Sequence, residues 1–470
     1  MQTRKDLYQA HRLMQQRLGM ALLQAEPDVP ESPTRRHNVA MFCGILVGVL
    51  IMAGFGIWGL LSPGQATNLE DPGQILVEKE TGATYVYSQE QRRLLPVANY
   101  VSALLLLDTT DFQVKSVSAA SLAKYARGPL VGIAGAPDSL PAREKLIKSP
   151  WSVCVTEAAD STGTPVPYVT LVGGNQVGGT PVGGGALVVT DGRQQWVIWN
   201  DQRMKTGDTG VRALNARPRR VPATWVNAIP TGPDFAAPAI PDLGRKMRGP
   251  DGGSAAVGRV YTVKGVGGAA DRWYVLLSDG LATINLTQAT LLLEEPDLKK
   301  AYGGQGARSL EIDAATANAA ASGRSLTVGG LPTSLPKAVA ASASAPLCSV
   351  YADTQNGSAR ATVTVGATMA IPAPAVRGDQ EHFDQVLMPA GSAALVGLLP
   401  GDGQKGFVQT YFLLTDQGRR HALQSGDQIN KLGYGAEDVA PMPANLVHLL
   451  PEGPALDSAA AHSPVQVMAQ

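Results

Sequence analysis

The sequence predicts an α+β, β-rich protein in which a single N-terminal transmembrane helix precedes four small repeat lobes around a central, disulfide-linked core. Three observations predict it. Val39–Leu61 is an apolar run without a charge. The chain holds 52 glycines and 33 prolines with only 5% aromatic and 17% charged residues, a loop-punctuated composition that suits a β architecture better than a helix bundle. An apolar strand closing on a polar turn recurs four times along the chain.

The elements follow in chain order. Residues 6–24 place Leu7, Ala10, Leu13 with Met14, Leu18, Ala21 and Leu22 at steps of three and four, the spacing of an amphipathic helix, and Pro27 and Pro30 end it. Residues 1–38 form a cytoplasmic amphipathic segment, suited to the membrane surface or to a cytoplasmic partner, and its modest basicity favours the partner. Residues 39–61 form the transmembrane helix, which at ~1.5 Å per residue crosses the ~30 Å hydrocarbon layer. Arg4, Lys5, Arg12, Arg17, Arg35 and Arg36 precede it, whereas Glu70, Asp71, Glu78 and Glu80 follow it with Lys79 alone among them. The positive flank stays inside, so the N-terminus is expected in the cytoplasm and residues 62–470 outside. Gly64-Gln65-Ala66 has the small residues of a signal-peptidase site, but the run is longer than a signal h-region and its leader is long. An anchor is therefore expected. Its Gly44-x-x-x-Gly48 permits close helix packing, with a lipid-facing stripe as the alternative.

The exterior part is too long for one core, which stops growing near ~250–300 residues. Its four hairpins are Tyr85–Ser88 with Leu94–Val97, Trp196–Asp201, Trp273–Gly280 and Tyr411–Gly418. They are read as four related lobes at 62–150, 186–245, 246–310 and 376–456. Core segments are expected at 151–185 and 311–375, the second containing a helix at Ala314–Ser322 and an exposed connection to Ala345, and a disordered tail at 457–470. Segments around Cys154 and Cys348, with Ala361–Val365, are expected to meet in a central sheet. Both cysteines lie on the expected oxidising side and are predicted to bond, the alternative being two independent buried thiols. Across that loop the chain-entropy model gives roughly 5 kcal/mol. Cys43, inside the apolar run, is expected to face lipid or a partner helix.

Much chemistry is excluded. The chain has 39 acidic and 39 basic residues, so no electrostatic case for nucleic-acid binding exists. It contains no Gly-Lys dipeptide, hence no Walker-A loop. Gly265-Val266-Gly267-Gly268 fails as a dinucleotide turn because position 270 is alanine, and the Gly173–Gly185 stretch lacks lysine and reads as a flexible loop. The six histidines are scattered, with no HExxH and no GxSxG in the chain; Glu381-His382-Phe383-Asp384 reads as loop polarity rather than a metal site. No catalytic, metal-binding or nucleotide-binding residue and no cofactor is expected.

Several segments carry a resemblance. QTRKDLYQAHRLMQQRLGMALL, PTRRHNVAMFCGILVGVLIMAGFGIWGLL, ILVEKETGATYVY, LLPVANYVSALLLL, ARGPLVGIAGAPDSLP, WSVC, YFLLTDQGRRHAL and LLPEGPALD together resemble EccB, the single-pass core component of the ESX, or type VII, secretion membrane complex of actinobacteria. The resemblance covers nearly the whole chain and is weakest at 161–185 and 314–345. It implies an N-terminal segment packed in the cytoplasmic part of the complex and an elongated exterior of four repeat lobes around a disulfide-containing core. It also implies partners of the EccC, EccD and EccE type. The expected role is a structural and assembly subunit, dimeric or of higher order through its exterior domain. The alternatives are an unconventional ATPase, which no motif here supports, and a cell-wall-binding exterior module.

Overall fold

A computed structural model describes residues 3–24, 33–61, 68–107, 109–160, 162–376 and 378–465. The small residues Gly64-Gln65-Ala66 lie outside them. The chain divides into two compact units, residues 1–69 with 78–80 and 116–124, and the remainder.

The first unit holds the helix Arg4–Gln24 and the long helix Pro33–Leu61. The span Arg36–Trp58 is the one helix among the described residues long and apolar enough to cross a membrane. Its side chains are exposed along its length, Cys43 among them, and Gly44 and Gly48 face open space. Such a surface suits a hydrocarbon environment rather than water. Elsewhere in this unit Lys79 N donates to Val117 O at 2.9 Å, and Ala119 N donates to the Glu80 carboxylate at 3.0 Å.

The second unit is built from one motif used four times. Each lobe starts with three antiparallel strands. They are Gln74–Glu78, Thr84–Ser88 and Arg93–Val97 in lobe 1; Leu187–Thr190, Gln195–Trp199 and Gln202–Thr206 in lobe 2. Lobe 3 uses Val260–Val263, Arg272–Leu277 and Gly280–Ile284, and lobe 4 uses Ala393–Leu399, Tyr411–Thr415 and Arg420–Leu423. The four hairpins read from the sequence occupy the same place in each, the second and third strands. In lobe 2, Asn200 and Asp201 both take positive φ (49° and 59°), as a two-residue turn with the twist of its flanking strands requires.

A helix follows in every lobe: Tyr100–Leu106, Asp208–Ala213, Leu286–Glu294 and Gly426–Lys431. A fourth strand then lies beside the first, giving the sheet order third, second, first, fourth throughout. In lobes 2, 3 and 4 this strand is Arg219–Arg220, Leu310–Glu311 and Ala440–Pro443, each parallel to the first. A second short helix follows, and then a segment bridges parallel to the third strand, at Arg127, Thr231, Ala321 and Glu452. Parallel returns need a crossover, and the helices supply it.

The central sheet has the order Gln385–Leu387, Pro165–Gly173, Trp151–Ala159, Leu347–Tyr351, Thr362–Val365, Thr180–Pro181. Its strands come from distant parts of the chain. Alternation divides its residues between two faces. Trp151, Val153, Val155, Leu347 and Val363 pack in one large core with Leu187, Val189, Ile198 and Val221 of lobe 2 and Ala394, Val396, Phe412 and Leu414 of lobe 4. Cys154 and Cys348 occupy a smaller cluster with Val172, Val177, Met369 and Ile371. Lobe 4 then packs on lobe 1 through Leu395, Leu413 and Ile429 against Ile75, Leu95 and Leu105. Lobe 2 meets lobe 3 where Val188, Met204 and Leu214 surround Leu291. The packing order is therefore lobe 1, lobe 4, central sheet, lobe 2, lobe 3.

Several expected boundaries move. Residues 311–326, expected in a core segment, belong to lobe 3, because Ala321–Ser325 pairs with Gly280–Ile284. The expected helix 314–322 is a helix only over Ala314–Ala319 and then a strand. Gln385–Leu387, expected in lobe 4, pairs with Pro165–Gly173 in the central sheet. The connection to Ala345 is exposed only in part: Leu331 is buried and Val339 N donates to Ala186 O at 2.9 Å. The glycine stretch 173–185 is a packed strap rather than a flexible loop. Gly179 has φ 105°, and a Cβ there would stand 2.3 Å from Gly366 O, so both its conformation and its space need glycine. The tail expected to be disordered from 457 carries the helix Ser458–Ala461, and Val465 N donates to Leu130 O at 2.9 Å.

Candidate functional site

The central sheet is where the two lobe pairs join, and its residues build the candidate site. Cys154 and Cys348 lie directly opposite on neighbouring antiparallel strands, fully buried, and are joined by a disulfide with a Cα–Cα separation of 4.1 Å. The bond ties strands 194 residues apart in sequence.

On the opposite face the join is made by Tyr351. Its side chain is fully buried and its hydroxyl donates to Ala228 O, while Asn445 Nδ2 donates to the same hydroxyl at 3.2 Å. Ala228 ends the second helix of lobe 2, and Asn445 lies in the second helix of lobe 4. Burial pushes the Tyr351 pKa up to about 12, because the phenolate would lose its water. Trp225, also fully buried, donates its indole N–H to Val153 O at 3.2 Å. Asp201, in the lobe 2 turn, accepts from Val363 N at 2.8 Å, and burial raises its carboxyl pKa.

Arg219 is a buried cation at the same junction. Its guanidinium donates to Ala345 O at 2.6 Å and Ala343 O at 2.8 Å, holding the strap that leads back to the Cys348 strand. Burial lowers its pKa. Paired carbonyls suit the planar fork of arginine and not the point charge of lysine.

None of Tyr351, Trp225, Arg219 or Asn445 was singled out from the sequence, although a signal for two of them exists. Pro222–Pro233 and Pro443–Pro454 share Pro-Ala-x-x-Val-x-x-(Ile/Leu)-Pro-x-Gly-Pro without a gap. Ser118–Pro129 follows it more loosely. The pattern spans the second helix and the segment returning to the third strand, so Val226 and Ile229 are equivalent to Val447 and Leu450 in the shared core. In lobe 4 its glycine is required by close approach, since a Cβ at Gly453 would fall 2.4 Å from the His421 ring; at Gly232 the neighbour is the movable end of the Gln202 side chain, 2.8 Å away.

The acidic loop expected as solvated polarity is largely occupied. His382 Nδ1 meets Asp379 at 2.9 Å, and the Asp384 carboxylate accepts from Val169 N at 2.7 Å. Among the described residues no group of three or more His, Cys, Asp or Glu side chains is placed to hold a metal ion.

Comparison with known proteins gives a consistent result. A family model described as "Type VII secretion system ESX-1, transport TM domain B" matches residues 1–469. The chain is 28% identical to the "ESX-3 secretion system ATPase EccB3" of Mycolicibacterium smegmatis, over 92% of this chain and 86% of that protein. It is 26% identical to the "ESX-5 secretion system ATPase EccB5" of Mycobacterium tuberculosis, over 96% of this chain and 91% of that protein. Its fold is similar to a chain of the intact ESX-5 inner membrane complex, with TM-score 0.63 and 23% identity over 100% of this chain and 97% of that one. It is also similar to the EccB3 dimer from the ESX-3 core complex, with TM-score 0.61 and 24% identity over 83% and 99%.

Proposed function

The chain belongs to the type VII secretion family of transport TM domain B, the EccB family, and from that premise we propose that it anchors and shapes the exterior part of an ESX secretion membrane complex. The observation that carries this is the presence of an apolar helix and of a unit in which two pairs of lobes are joined through a disulfide-bearing sheet. Such a unit is suited to holding neighbours at set spacings. Arginines before the helix and carboxylates after it support a cytoplasmic N-terminus and an exterior C-terminal part. The helix Arg4–Gln24 leaves Leu7, Leu13, Met14, Leu18 and Leu22 exposed, which suits docking on subunits of the EccC, EccD or EccE type. A solved relative forms a dimer, and a dimer or higher oligomer through the exterior lobes is part of this reading.

Curated relatives carry the name ATPase. We favour a structural role because the chain has no Gly-Lys dipeptide with which to build a Walker-A loop. Deleting residues 62–470 while keeping the helix is expected to abolish secretion and to lower recovery of the intact membrane complex. Unchanged composition and secretion would overturn the proposal. ATP turnover by purified full-length protein, lost on a point change that leaves its melting unchanged, would instead establish the enzyme.

A further inference from the structure

A cleft of about 810 Å³ opens between one end of the central sheet and lobe 2, and its two walls carry different charge. The lobe 2 wall presents Arg193, in the turn after the first strand, and Arg220, in the returning strand. The Arg220 guanidinium lies over that turn, 3.8 Å from where a Cβ on Gly192 would stand. Asp191 on this wall is committed to its own turn, accepting from Arg193 N and Gln194 N at 2.8 Å each. The facing wall carries Glu157 from the sheet and Asp379, Glu381 and Asp384 from the loop, and no basic side chain among the described lining residues. Asp379 and Asp384 are again engaged in backbone bonds. What remains without a salt bridge among the described lining residues is two guanidinium groups, of Arg193 and Arg220, and two carboxylates, of Glu381 and of Glu157, the latter also within the field of the buried Arg219.

The walls are preformed. Thr224 Oγ1 donates to Gln380 O at 2.9 Å, and Asp384 N donates to Val169 O at 2.9 Å, so the loop is fastened to both lobe 2 and the sheet. The floor cannot recruit an extra strand. Val169 bonds outward to Asp384, and by the two-residue alternation Pro167 and Pro165 face outward too, with no N–H to offer. Recognition there falls to side chains. Guanidinium groups select carboxylates through paired N–H donors, and carboxylates select ammonium groups.

We propose that this cleft binds a short zwitterionic peptide, its carboxylate end on Arg193 and Arg220 and its ammonium end on Glu157 and Glu381. The inference goes beyond the assembly role, which does not require it. The volume lies in the range of small-ligand sites, about 300–1,000 Å³. The test is calorimetric titration of the detergent-solubilised full-length protein with the tripeptide Lys-Ala-Glu, free, N-acetylated or C-amidated. Saturable binding of the free peptide is expected, weakened at least about tenfold by R193Q/R220Q and by E157Q/E381Q. Each blocked peptide is also expected to bind more weakly. R193K/R220K keeps the charge but loses the paired donors, and is expected to bind more weakly than the parent yet more tightly than R193Q/R220Q, which separates lost recognition from lost folding; melting of every variant is measured alongside. No saturable binding up to about 10 mM would overturn the proposal, as would binding unaffected by both neutralised pairs. Dependence on one charge pair alone would reduce the cleft to a simple ion site and overturn it equally.

Discussion

Replacing Cys154 and Cys348 by alanine removes the one covalent link between strands that the chain reaches 194 residues apart. In the chain-entropy model, opening a loop of that length returns about 18 cal/mol/K to the denatured ensemble, or about 5 kcal/mol at 25 °C. That is a large share of the ~5–15 kcal/mol by which domains are stable. The native sheet keeps its neighbours, because the Trp151–Ala159 strand pairs with Pro165–Gly173 as well as with Leu347–Tyr351. The loss therefore falls on the open state, and the C154A single variant, which already breaks the loop, is expected to match the double variant within about 1 kcal/mol. Hydrogen exchange of the full-length protein in detergent, followed by mass spectrometry, reads this locally. Protection of Trp151–Ala159 and Leu347–Tyr351 is expected to fall by three to four orders of magnitude, with much less change in lobe 3 at Arg272–Leu277. A loss below about 2 kcal/mol in the central strands would refute the loop-entropy argument, and an equal loss in lobe 3 would show that the lobes open together.

Further outcomes follow from the same junction. Tyr351→Phe leaves Ala228 O without its buried donor and is expected to cost about 1–3 kcal/mol in urea unfolding, with lobes 2 and 4 loosened together. Tyr351 also makes stability depend on pH. Its folded pKa of about 12 lies above the ordinary 10, so the native state holds its proton longer than the unfolded chain. That contribution is whole below pH 10 and is lost between pH 10 and 12, by roughly 2–3 kcal/mol; Tyr351→Phe should remove this share of the alkaline slope and leave the part due to other buried tyrosines such as Tyr434. His421 is buried with its pKa lowered, chiefly by desolvation, so stability is expected to fall as pH drops below 6.5. Its exchange for glutamine should flatten that limb in acid denaturation. Gly453→Ala would press a methyl against the His421 ring and is expected to destabilise lobe 4 by about 1–3 kcal/mol, measured as a lower denaturation midpoint.

The sequence by itself determined the features that depend on near neighbours in the chain. The uncharged run from Val39 to Leu61 specifies a helix that a bilayer can accept, and the helix Pro33–Leu61 contains it. Alternating strands ending in Asn200-Asp201 or Ser278-Asp279-Gly280 specify hairpins, because turn chemistry and twist are local. The cysteine pair was legible because only two cysteines stand beyond the anchor.

What tertiary structure decided is the return of each lobe on itself. Arg219–Arg220 and Leu310–Glu311 are strands of two residues, too short to show any period, and exist because a neighbouring strand accepts them. Ala321–Ser325 reads as the end of a helix and the start of a connection until it lies against Gly280–Ile284. Nothing near Tyr351 or Arg219 announces their roles either. Their partners are 123 to 126 residues away, at Ala228 and Ala345, and only the meeting of lobe 2, lobe 4 and the central sheet buries them where their polar atoms must be satisfied.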